Sequence, residues 1–305
     1  MQKAFFFVGF LLCGTVAVAQ PAFDTMTGVY LQPVIIRNNL NYKTILAQIK
    51  ADTTFYKSFK NLRILGYDAY NSITMKDKKE RITATYQSKT TQERRGDCRT
   101  TKVLEQQTTG DFFDANNNYN YTTAKLYASL FFAKGEQCGE DNIVKHSQIT
   151  TQNKEGLDKN REQLKMLFFT PGQKIPGIPF IGNKLDLYDD NAHKNYDYTL
   201  DYADYNGVYA YKFSIIPKQG KETNNDVVVD EMTTWFSATN MQVLARTYSL
   251  SYSAGVYSFN VRMEVEMTQF KQLWVPKVLR YKGRWNVVFK GRENGEFTAT
   301  LFNFK

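Results

Sequence analysis

The stretch PGQKIPGIPFIGNK at 171–184 sets Gly177 and Gly182 five apart, as in the phosphate-cradling loop G-x-x-x-x-G-K-[ST]. That loop converges backbone N–H groups on phosphates between a strand and a helix, with a lysine beside the second glycine and a hydroxyl on magnesium. Here Pro179 removes an N–H and Phe180 crowds the nest. Asn183 takes the lysine position, and Leu185 follows Lys184 where a hydroxyl is needed, so a nucleotide loop is excluded. Nucleophilic catalysis lacks its parts as well: there is no G-x-S-x-G, and neither His146 nor His193 has an evident Ser or Cys partner. Paired carboxylates stand at Asp189 with Asp190 and at Asp111 with Asp114, the residue types of a glycosidase. Acidic residues in turns are the commoner case, so a carboxylate-dependent hydrolase ranks third among the functional readings.

Three short motifs carry weaker signals. RGD at Arg95 to Asp97 has the form of an adhesion tripeptide, but reads more simply as a turn beside Cys98. NYT at Asn120 matches an N-glycosylation acceptor, which matters in a eukaryotic secretory pathway. DTM at Asp24 and DTT at Asp52 resemble O-glycosylation acceptors of exported Bacteroidetes proteins, and Asp52 doubles as a helix cap.

The compartment follows from the first nineteen residues. Lys3 is their single charge, Ala4 to Val18 is almost wholly apolar or small, and Ala17 to Ala19 offers a small-residue cleavage site. This is the pattern of a secretory signal peptide at 1–19, leaving residues 20–305 as one envelope domain, with a subdivision near 150 the lesser reading. Gly9 and Gly14 break the apolar run and no basic cluster follows it, which argues against an anchor. Leu12 before Cys13 argues against a lipoprotein signal. Cys98 and Cys138 then remain as an even pair in an oxidising compartment, which predicts a disulfide worth roughly 3–4 kcal/mol in the chain-entropy estimate. No C-x-x-C or histidine spacing supports a metal, and no cofactor is expected.

A net charge of +9 favours anionic surfaces such as phospholipid, so peripheral membrane association fits. The basic residues are scattered, with KDKK at 76–79 and ERR at 93–95 too short for a nucleic-acid stripe.

The elements that must hold any site are of two kinds. Val29 to Ile36, interrupted by Pro33, suits an edge strand. Tyr42, Ile45, Leu46 and Ile49 share one helical stripe, and Phe55, Phe59 and Leu62 share another behind Asp52. A hairpin around KDKK spans 66–92, and a further strand spans 99–109. A helix then places Leu126, Tyr127, Leu130 and Phe131 inward and ends by Gly135. Residues 157–169 predict another helix, and from Tyr196 onward the pattern is β. In GVYSFNVRMEVEMTQF, Tyr257 to Met267 alternate apolar against polar, the mark of an antiparallel strand with one dry and one wet face. Further strands are expected at 208–216, 227–236, 243–252, 273–281, 285–290 and 297–304, with YKGR at 281 and Asn294-Gly295 as turns. The fold class is therefore α+β: a large curved antiparallel sheet covered by a few helices.

The strands VYAYKFSIIPK, TTWFSATNMQVLARTYSL and VPKVLRYKG resemble those of periplasmic outer-membrane lipoprotein carrier and sorting proteins. The whole chain is also similar to uncharacterised exported Bacteroidetes proteins, with LQPVII and FYKSFKNLR near its start. The resemblance covers about the last hundred residues and implies a half-barrel whose concave face binds acyl chains under a lid of helices and loops. The preferred reading is a non-enzymatic, exported protein of the periplasm or outer-membrane surface of a Gram-negative, Bacteroidetes-like bacterium, with a lipid or an acylated envelope protein as partner. An interaction protein that binds another envelope protein or a glycan is the alternative. The expected ligand-binding strap is Phe168, Phe169, Ile175, Ile178, Phe180 and Ile181: its prolines and glycines forbid regular structure while its apolar side chains demand cover. It acts either as a permanent plug or as a lid.

Overall fold

A computed structural model describes residues 42–144, 168–174, 183–189, 191–221, 227–254, 257–287 and 291–305. The leader expected at 1–19, the strand expected at 29–36, most of the helix expected at 157–169 and the expected strap residues Ile175, Ile178, Phe180 and Ile181 lie outside those residues, as do His146 and Asp190.

Two helices come first. In α1 (Tyr42–Lys50), Ile45 and Ile49 are buried one turn apart. In α2 (Thr54–Asn61), Phe55 and Phe59 repeat the same spacing, with rings 5.3 Å apart. Each fully buried phenylalanine contributes roughly 1.5–3 kcal/mol, enough to hold a helix too short to persist alone. A 3₁₀ turn over Leu62–Ile64 ends it, and Leu65 is already extended.

The hairpin strands β1 (Tyr67–Lys76), β2 (Ile82–Arg95) and β3 (Cys98–Gly110) follow, then α3 (Thr122–Phe131). The rest is a seven-strand meander: β4 (Tyr196–Tyr205), β5 (Val208–Pro217), β6 (Val229–Ser237), β7 (Val243–Ala254), β8 (Tyr257–Phe270), β9 (Leu273–Val287) and β10 (Gly291–Phe302). All ten strands form one antiparallel sheet in the order β3-β2-β1-β10-β9-β8-β7-β6-β5-β4. The last strand returns beside the first, with Asp68 opposite Phe302 and Lys76 opposite Asn294. Edges β3 and β4 do not pair, so the sheet is an open, curved half-barrel. The alternation read from β8 holds: Phe259, Val261, Met263, Val265 and Met267 are buried. Their face joins one core with the helices, including Phe55, Tyr127, Phe168, Tyr248 and Phe236.

Two expected turns are strand interior instead. Residues 281–284 run through the middle of β9, because a side chain on Gly283 would overlap the Tyr281 hydroxyl, which lies over it. Asn294 and Gly295 sit inside β10, where a Cβ on Gly295 would meet Thr123 at 3.1 Å and Met75 at 3.2 Å. Both glycines make room for a neighbour rather than a left-handed backbone. The strand expected at 273–281 and the first residues of the one expected at 285–290 are accordingly one element, with 288–290 outside the described residues. On α3 the inward face is also narrower than its spacing predicts: Tyr127 and Phe131 are buried, while Leu126 and Leu130 are half-exposed.

Candidate functional site

A groove of about 700 Å³ opens between α2 and α3. Tyr56, Phe59 and Leu62 form one wall and Leu130, Phe131 and Phe132 the other, with Tyr67 of β1 and Phe169 also lining it. Its volume falls within the range of small-molecule pockets.

The α3 wall is fixed from below and from its N-terminus. The Tyr127 hydroxyl donates to Asn71 Oδ1 at 2.6 Å, and the Tyr127 ring lies 4.5 Å from Phe297 of β10. The Glu293 carboxylate accepts from the backbone N–H of Thr122 at 2.7 Å and of Thr123 at 2.8 Å. It satisfies free donors of the helix and places negative charge at the positive end of its dipole. The cap comes from a strand remote in sequence, so no local capping pattern announces it.

The α2 wall is held by two attachments. Residues 140–143 dock on it: Lys60 Nζ lies 3.1 Å from Asp141 Oδ1 and also donates to the Ile143 carbonyl, and Asn142 Nδ2 donates to Asn61 Oδ1 at 2.8 Å. The Asn61 side chain in turn donates to the Trp274 carbonyl at 2.7 Å. From the other side, Phe169 packs on Phe59 with ring centroids 4.5 Å apart and on Tyr56 at 6.0 Å.

The segment from Phe132 to Ile143 bridges the two walls and is tied to the edge of the sheet. Cys98 and Cys138 form a disulfide, and Arg99 and Gln137 exchange backbone hydrogen bonds of 2.8 and 2.9 Å. Arg99 donates through Nε to Glu140 and through a terminal nitrogen to Gln92 Oε1 at 2.8 Å, while Arg63 lies 3.7 Å from Glu140. Burial pushes the Glu140 carboxyl up, but the hydrogen bond and charge of Arg99, with the charges of Arg63 and Arg94, outweigh it and hold the pKa below the ordinary glutamate value. Burial pushes the Tyr67 phenol up to about 12, with Arg99 opposing.

The lining sets aromatic rings beside polar side chains, Asn117, Asn118, Ser129 and Gln137 among them. Glu140 is its single carboxylate among the described residues, and it is committed to two arginines. Of the carboxylates singled out above, two serve turns: Asp114 accepts from the backbone of Asn116 and Asn118, and Asp189 from that of Asn191, while Asp111 accepts from the Tyr121 hydroxyl. His193 is exposed, 4.6 Å from the ring of Tyr198. Among the described residues one cluster has metal-ligand spacing, Asp97 with Cys98 and Cys138, and its two sulfurs are joined to each other. RGD is the β2–β3 turn, with Gly96 at φ +63° and Arg94 donating to the carbonyls of Gly96 and Asp97.

Of the expected strap, Phe168 points into the core against Tyr281, and its carbonyl accepts from the Tyr248 hydroxyl at 3.1 Å. Phe169 lines the groove. Pro171, Gly172, Leu185 and Leu187 on either side of the undescribed segment are buried. The α2 and α3 walls escaped the sequence reading because their apolar residues were assigned to one inward stripe. The signal available was excess: FYKSF and LYASLFF carry more apolar residues than a single stripe uses.

No family model matches the chain, and no curated protein does. Among solved structures it is similar to a DUF1329 family protein from Desulfovibrio piger, at 11% identity over 83% of this chain and 93% of that one, with a TM-score of 0.23. It is similar to a domain named for outer membrane lipoprotein sorting from Vibrio parahaemolyticus, at 12% identity over 82% and 90%, TM-score 0.25. A LolA superfamily protein from Nitrosomonas europaea follows at 10% identity over 83% and 93%, TM-score 0.23.

Proposed function

We propose that this is an exported, non-enzymatic envelope protein that holds an apolar ligand, a lipid or the acyl chain of an acylated protein, between its sheet and its helices. The observation that carries the reading is the groove of about 700 Å³ with facing aromatic walls at Phe59 and Phe169 and at Phe131 and Phe132. Water in such a cleft is displaced favourably by hydrocarbon, at about 25 cal/mol per Å² of apolar surface covered. The leader-like sequence at 1–19 and the basic net charge of +9 agree with a periplasmic or outer-membrane-surface location. Phe169, the described residue of the expected strap that lines the groove, belongs to this binding surface.

Native mass spectrometry of the mature protein taken from its own envelope is expected to show co-purifying lipid, and a fluorescent fatty acid is expected to compete for the site. Ala128, half-buried on the groove side of α3, is the position at which to block it. Ala128→Trp is expected to abolish uptake while leaving the circular dichroism spectrum unchanged. A protein that carries no lipid and takes up no fatty acid would remove the reading. A second reading, docking of another envelope protein, has its own observation: edge strand β3 leaves Val103 48% and Leu104 52% exposed. A stable complex that survives Ala128→Trp would favour it.

A further inference from the structure

The charges around the groove are one-sided. Lys60, Arg63, Arg99, Lys125 and Lys134 line it, against the single carboxylate of Glu140. Three of the five cations are engaged: Lys60 with Asp141, Arg63 with Glu140, and Arg99 with Glu140 and Gln92. Lys125 and Lys134, both exposed on the α3 side, have no ion-pair partner among the described residues. Both belong to the same lining as Phe59, Phe131, Phe132 and Phe169. A cation beside a low-dielectric wall attracts an anion more strongly than the same charge on a flat, wet surface. A lysine also keeps its ammonium in water while its stem lies along apolar surface.

We propose that the groove selects an anionic phospholipid, its chain between the aromatic walls and its phosphate at Lys125 and Lys134. This rests on the apolar-ligand reading above and adds the sign of the head group. Phospholipid is favoured over a small anion because the cations border an apolar cleft, and because a chain of net charge +9 is drawn to anionic bilayers, where such lipid is supplied.

The test incubates the full-length mature protein with vesicles containing equal amounts of dioleoyl phosphatidylglycerol and dioleoyl phosphatidylcholine, then counts bound lipids by native mass spectrometry. The chains are identical, so the ratio reports the head alone. The expected result is enrichment of phosphatidylglycerol by about fivefold, from two partly screened charge contacts. Lys125→Glu with Lys134→Glu is expected to bring the ratio to one or below while total bound lipid persists. Equal binding by the unaltered protein, or enrichment that survives the double substitution, overturns the proposal and leaves the apolar groove standing. Absence of both lipids overturns the proposal together with the reading it rests on. Inorganic phosphate alone is expected to leave the thermal midpoint unchanged; stabilisation matching that by phosphatidylglycerol marks a bare anion site and overturns the proposal.

Discussion

Among the described residues, Arg246 and Asp52 are the charged pair most withdrawn from water, each with a side chain 7% exposed, and they lie 3.7 Å apart. Arg246 also donates through Nε to Thr234 at 2.8 Å and rests 4.3 Å from the centre of the Phe55 ring. Asp52 stands one residue before the N-cap of α2, which is Thr53 rather than Asp52; it accepts from the Thr54 N–H at 2.8 Å and ties α2 to the sheet through Arg246. Removing one partner of such a pair leaves the other charge stranded, so Asp52→Ala is expected to cost about 3–5 kcal/mol in urea unfolding. Asp52→Ala combined with Arg246→Met is expected to cost less than Asp52→Ala alone; a double variant as unstable as the sum of its singles refutes the coupling. The inward direction of Arg246 was legible, since it shares its parity in β7 with buried Tyr248, Leu250 and Tyr252. The identity of its partner was not, because nothing local relates residue 246 to residue 52.

Among the elements, the bridging segment 132–143 has an attachment that responds to pH through Glu140. Glu140 has a folded-state pKa below its unfolded value, so its contribution is fully present above the ordinary glutamate value of about 4.3 and is lost as pH falls through the lower folded pKa. The stability difference between the unaltered protein and Glu140→Gln is therefore expected to be steady from pH 7 to about 5 and to vanish below the folded pKa. A difference that grows on acidification contradicts the assignment. The helices α1 and α2 and the strand β8 were legible because each shows a regular apolar period and nothing competes with it. Asn294-Gly295 misled because a close-packed glycine and a turn glycine look alike in sequence; which one is present depends on Met75 and Thr123, far away along the chain. The same limit hid the Glu293 cap of α3 and the groove that α3 helps to wall.

At the scale of the molecule, the class of sheet was legible and its closure was not. Six of the seven meander strands follow from alternation and short turns, with β4 given no bounds of its own and β9 expected as two strands, whereas the pairing of β1 with β10 is a contact distant in sequence that no periodicity encodes. That pairing makes the N-terminal third depend on the C-terminus. A chain ending at residue 290 lacks Glu293 above α3, Phe297 beside Tyr127 and the neighbour of β1. It is expected to lose helix and sheet signal throughout in circular dichroism, with Tyr127 and Phe112 no longer protected. Retention of a protected 67–131 unit in hydrogen exchange contradicts that interdependence.

The return of β10 to β1 also sets a clock. Because contacts distant in sequence must wait for their loop to close, the hairpin β1–β2–β3 and α3 emerge first and complete their packing last. Whatever machinery makes or translocates the chain therefore handles an unfinished apolar surface, Met75, Tyr86 and Tyr127 among it, until residues 291–302 arrive. The strand that seals the sheet is thus also the step that ends its exposure to aggregation.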